Sequence, residues 1–158
     1  MTAVHAHVAL DGAAGTLRVS GAGLPVVELV RAAGTPADAH VPVGTRKAAL
    51  LTLTVDGAPA AIRPARGRLL RRSYRVDVRA GGVRYRLVPC SYEESRLSRD
   101  GRRIGTLASS GDGRVTDTWE IRPAPLDLAV GTALAAAFGT GAAPWWETLG
   151  DVLGELLG

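Results

Sequence analysis

Five arginines carry the clearest chemical pattern in this chain: Arg71, Arg75, Arg79, Arg84 and Arg86. Strand side chains alternate between faces, and Gly81-Gly82 supplies the positive φ of a two-residue hairpin turn. A turn there pairs Val78 with Tyr85 and Val76 with Leu87 on the buried face. The opposite face then carries Arg79 beside Arg84, Asp77 beside Arg86, and Arg75 and Arg71 further along. Each guanidinium is a fork of donors shaped for carboxylate or phosphate oxygens. The row is therefore the candidate anion-contacting surface, and it depends on register, because a one-residue slip turns every arginine inward. A solvated sheet face in an arginine-biased composition produces the same row.

Other combinations offer less. His5 and His7 share one strand face and His40 is a third candidate ligand, but no cysteine or acidic cluster joins them, so no metal site is expected. Cys90 has no nearby histidine to activate it and reads as a half-buried, inert thiol. Ser109-Ser110-Gly111 lacks the glycine spacing of a nucleophile elbow. Gly139-Thr140-Gly141 lacks the third glycine and preceding strand of a dinucleotide loop, and there is no Walker sequence. Glu93 and Glu94 are adjacent, so on a strand they point apart. These patterns predict no cofactor and favour a binding module over an enzyme.

The elements that must position the arginines are hairpins. Asp11-Gly12, Asp56-Gly57, Asp100-Gly101 and Asp112-Gly113 join Gly81-Gly82 as tight-turn signals. A turn at Asp56-Gly57 pairs Val55 with Ala58, Leu53 with Ala60 and Leu51 with Ile62, all apolar on one face. Asp100-Gly101 sets Leu97 opposite Ile104. Val115, Trp119 and Ile121 alternate with polar residues, with Asp117 as a misfit on the apolar side. At the start, Val4, Ala6, Val8 and Leu10 alternate with His5, His7 and Ala9, and Thr16–Ser20 returns over an Asp11–Gly15 turn. Leu24–Ala33 fits a short helix or a strand, and Thr35–Thr45 reads as loop.

Beyond Pro123-Ala124-Pro125 the pattern changes. Leu126–Phe138 is apolar on nearly every side, interrupted by Asp127 and Thr132, with Gly139 as its cap. Glycines and Pro144 break it short of the ~20 residues a membrane span needs, so a buried helix is expected. A second, amphipathic helix is predicted over 144–157, with Trp145, Trp146, Leu149 and Leu153 among its apolar positions. It packs on the sheet or serves as an interaction or dimerisation helix.

The hairpins, the basic central ribbon and the all-round apolar helix together resemble the Tubby-like barrel superfamily, which includes the Tubby domains, phospholipid scramblases and LURP-one-related proteins. The stretch Arg68–Leu107, with its Asp100-Gly101-Arg102-Arg103-Ile104 turn, carries the likeness, and Leu126–Phe138 occupies the place of the core helix. The resemblance implies a closed barrel and a non-enzymatic domain that binds lipid headgroups or another anionic partner. The Trp-rich segment departs from that family, whose helix usually ends the chain.

Composition is consistent with one globular domain over residues 1–158, with 1–121 as a strand-rich barrel. The net charge is +4, unevenly spread: thirteen arginines against four acids lie between Arg63 and Arg103, and six basic against eleven acidic residues elsewhere. Asparagine and glutamine are absent and Lys47 is the only lysine, a bias expected of a GC-rich bacterial gene. Cys90 stands alone, so an intramolecular disulfide is impossible. Met1–Leu10 has no basic start and no long apolar run, so no signal peptide and a cytoplasmic location are expected. Tyr74 and Tyr85 fall on the buried side, away from the arginine row, which leaves nucleic-acid stacking unsupported. The expected partners are anionic lipid or an acidic protein surface, or a second copy through the Trp-rich helix.

Overall fold

A computed structural model of the chain describes residues 5–38, 41–65, 74–91 and 93–139. Ten strands follow one another in an antiparallel meander: β1 His7–Asp11, β2 Thr16–Ser20, β3 Val27–Arg31, β4 Leu51–Val55, β5 Ala58–Pro64, β6 Val76–Ala80, β7 Val83–Pro89, β8 Glu94–Arg99, β9 Arg102–Ser109 and β10 Val115–Trp119. The sheet curls around one helix, α1, over Pro125–Phe138, which packs chiefly against β1–β3 and β7–β10. The undecided Leu24–Ala33 segment contains a strand. The predicted Trp-rich helix and Arg71 lie outside the described residues.

Three turns are the two-residue type with positive φ at both central positions: Asp56 and Gly57 (48° and 79°), Gly81 and Gly82 (56° and 77°), Asp100 and Gly101 (49° and 84°). The aspartates also act on the neighbouring hairpin. Asp56 N–H donates to the Val26 carbonyl while its Oδ1 accepts from Val26 N–H at 2.7 Å. Asp100 does the same to Arg84, with its N–H on the Arg84 carbonyl and its Oδ1 3.0 Å from Arg84 N. The other two Asp-Gly pairs are not two-residue turns. Asp11 pairs with Thr16 across Gly12–Gly15, and Ser109 pairs with Val115 across Ser110–Arg114.

Register departs from expectation at two places. A β-bulge between Leu97 and Ser98 sets Leu97 opposite Gly105 rather than Ile104. The extra residue lies next to Gly105, where a Cβ would stand 2.8 Å from the Trp119 ring, so only glycine fits beneath the indole. Ile104 and Leu97 are nevertheless both fully buried. Leu51 and Ile62 do not pair, because the β4–β5 ladder stops at Leu53 and Ala60, and β5 pairs with β6 from Ala61 onward. The Asp117 misfit is exposed and accepts a 2.9 Å hydrogen bond from Trp119 Nε1.

The helix is apolar all round because it is the core. Asp127 and every residue from Ala129 to Phe138 are buried, and the small side chains let both flanks of the sheet approach. At Gly131 a Cβ would stand 2.8 Å from Leu97 Cδ2. Gly139 ends the helix at φ 55°, its N–H on the Ala135 carbonyl, and Val43 N–H donates to Ala137 O. Among the described residues no helix is long and apolar enough to cross a membrane. Among the described residues no ladder joins the two edge strands, β1 and β10, although a Cβ added at Gly113 would meet Leu10 and Val8 at ordinary contact distance.

Candidate anion-binding cleft

The Gly81-Gly82 register holds as read from sequence: Val76↔Leu87 and Val78↔Tyr85 inside, Asp77↔Arg86 and Arg79↔Arg84 outside. Ladders on either side extend these outward rows. One row runs Arg63, Asp77, Arg86, Ser98 across β5–β8, and the next carries Ala61, Arg79 and Arg84 up to the Asp100-Gly101 turn. Together they line an open concavity of about 800 Å³.

Charge within this cleft is uneven. Asp77 is engaged by Arg86, whose Nε and terminal nitrogen reach its two oxygens at 2.6 and 3.2 Å, and Arg75 stands 3.8 Å away. That hydrogen-bonded carboxylate raises the Arg86 pKa above the ordinary arginine value. Among the described residues, Arg63, Arg79 and Arg84 have no carboxylate partner. The backbone N–H and C=O of Arg84 both face β8 through Asp100, so Arg79 and Arg84 form a non-hydrogen-bonded pair. Such pairs bring Cα atoms to about 4.5 Å, the closest side-chain approach in an antiparallel ladder. Like charges placed there destabilise the pairing.

Of the five arginines expected to contact an anion, Arg79, Arg84 and Arg86 line the cleft. Arg75 is on the same strand face and pairs with Asp77 without lining it. Arg63 and Ser98 were not foreseen. Their rows are reached across segments 65–75 and 90–93, whose sequences carry no Asp-Gly or Gly-Gly turn signal from which register could be read.

Behind the cleft, on the inner face, a buried network ties the hairpin to the helix. Asp127 is 1% exposed. It accepts from Tyr85 Oη at 2.6 Å, from Arg99 at 2.5 Å and from the Ala124 N–H at 2.9 Å, the last capping the first turn of α1. Burial first, and then the Asp127 hydrogen bond, push the Tyr85 phenol well above its ordinary pKa. At the other end of the helix Arg46 lies 5.4 Å from the ring centres of both Tyr74 and Phe138 and donates to the Ala65 and Tyr74 carbonyls. Burial lowers its pKa to about 10.

The remaining candidates are dispersed. His5 and His7 are exposed, and His40 lies outside the described residues. No group of three metal-ligating side chains gathers among the described residues. Cys90 is half-buried, with Sγ 3.4 Å from the Glu94 carbonyl oxygen. Trp145, Trp146, Leu149 and Leu153 lie outside the described residues. No family profile, curated protein or solved structure matches the chain.

Proposed function

We propose that this domain is a non-enzymatic binding module, of the Tubby-like barrel kind, which captures a phosphate-bearing anion such as a lipid headgroup in the β5–β8 cleft. One observation carries the reading: Arg79 and Arg84 are directly opposed in a close pair, and among the described residues neither has a counter-charge. An oxyanion bridging both guanidiniums relieves that repulsion and makes the charge-assisted bidentate contacts for which arginine is suited. Arg63 adds a third cation from β5. A meander curled on an apolar helix supports the family likeness.

Co-sedimentation with neutral and anionic vesicles, at low and moderate salt, tests this. Binding to anionic vesicles alone, weakened by salt and lost in Arg79→Ala/Arg84→Ala, is the expected result. Equal retention of the double variant and the wild type would exclude the arginine pair as the contact.

A further inference from the structure

The outward surface of the sheet is basic on one side only. On β2–β4 its charged residues are Arg18 and Glu28, which neutralise one another in a 2.9 Å ion pair. On β5–β8, with the residue before β6, six arginines (Arg63, Arg75, Arg79, Arg84, Arg86 and Arg96) face outward against two acids, Asp77 and Glu94. Arg96 lies outside the cleft. It is exposed, stands between Val88 and Thr106 in a third outward row, and has no carboxylate partner among the described residues. Same-face residues on a strand are about 7 Å apart, and Val88 is two such steps from Arg84 along β7, so Arg96 is about 14 Å from the Arg79/Arg84 row. That exceeds the Debye length of about 8 Å at physiological salt, so a small anion held by the pair does not feel Arg96.

Resting on the anion-binding reading, we propose that the outward face of β5–β8 docks flat on an anionic bilayer, with Arg96 as a second contact beyond the cleft and β2–β4 turned away. Charge complementarity selects this partner. Among the described residues the exposed large hydrophobic side chain is Val30, on β3, so the basic face lacks the apolar or aromatic centre on which a protein interface is built. Lipid headgroups need no such centre, because they diffuse laterally to meet spread cations, each worth a few-fold in affinity at the surface.

Co-sedimentation with phosphatidylcholine vesicles containing phosphatidylserine, together with calorimetry using inorganic phosphate, tests the face separately from the cleft. Arg96→Glu is expected to weaken vesicle binding about fivefold or more and to leave phosphate affinity unchanged. Arg96→Lys restores vesicle binding, since a surface field needs charge and not a fork of donors. Arg18→Glu makes the same change in net charge on the opposite side and leaves vesicle binding at the wild-type level. Arg79→Ala/Arg84→Ala loses phosphate, which Arg96→Glu does not. An equal fall in Arg96→Glu and Arg18→Glu, or no fall in Arg96→Glu, overturns the docking face while leaving anion binding intact. Phosphate binding by wild type without vesicle binding does the same and assigns the cleft to a soluble ligand. A short DNA duplex held more tightly than the vesicles at equal salt overturns the bilayer as partner. If wild type binds neither phosphate nor vesicles, both readings fall.

Discussion

On the outer face of β2–β3, Arg18 stands opposite Glu28 and the two form a 2.9 Å ion pair. Arg103 and Glu120 make a comparable pair, at 2.8 Å, beside the β9–β10 edge. On the outer face of β6–β7, Arg79 stands opposite Arg84. The same sheet thus matches charges in one region and opposes like charges in another. Where a surface serves only the fold, cross-strand partners of opposite sign are the favourable arrangement. An arginine-rich composition explains many arginines, but it does not explain why a like-charged pair with no counter-charge among the described residues also borders the concavity.

The comparison is sharpened first on the inner side of that hairpin, where its contribution to stability is concentrated. Asp127→Ala leaves the Tyr85 hydroxyl and the Arg99 guanidinium without their acceptor, and is expected to lower unfolding free energy by about 3–5 kcal/mol in urea titration. The outward arginines are untouched, so anion binding by the folded fraction should persist. Gly105→Ala drives a methyl group into Trp119 and is expected to cost about 1–3 kcal/mol. Neither change alters a charge in the cleft.

Tyr85 gives the inner face a pH signature that the outer face lacks. Its folded pKa is raised, so the folded state keeps a proton that the unfolded chain loses above about pH 10. The associated stability is complete below that pH and is lost as pH rises towards the folded value. Urea midpoints measured on either side of pH 10 should fall more steeply for wild type than for Tyr85→Phe. Equal slopes would remove Tyr85 as the cause.

The smallest stability effects break the comparison directly. Arg84→Glu builds on β6–β7 the opposite-charge arrangement already present on β2–β3. It should leave stability unchanged or raise it by up to about 1 kcal/mol, while abolishing retention on anionic vesicles. Glu28→Ala removes the matched pair and should cost less than about 1 kcal/mol, with no change in binding. If Arg84→Glu unfolds the protein, the opposed arginines are part of the scaffold after all.

The parts of this layout that were legible in sequence are those that a short turn fixes. Gly81-Gly82 specifies both strands of its hairpin at once, so the Arg79–Arg84 and Asp77–Arg86 pairs followed from alternation alone. The apolar helix was equally plain, since its burial has no polar face to conceal. Arg63 and Ser98 reach the cleft across segments whose sequences carry no Asp-Gly or Gly-Gly signal, and their rows could not be aligned from the sequence. Asp100-Gly101 gave the right turn, but the bulge beyond it has no signature in the alternation of β8 and β9. Asp127 looked like a mere interruption because its partners, Tyr85 and Arg99, are 42 and 28 residues away.

Strand β5 pairs with β4 only through Ala58–Ala60 and with β6 only through Ala61–Pro64. Among the described residues no position of it is laddered on both sides, and Pro59 and Pro64 have no amide hydrogen to give. The sheet is therefore two panels meeting at a corner, latched together by the helix that both grip. Amide exchange follows from that layout: β5 protons are replaced early, and each panel opens as its own cooperative unit once α1 lets go.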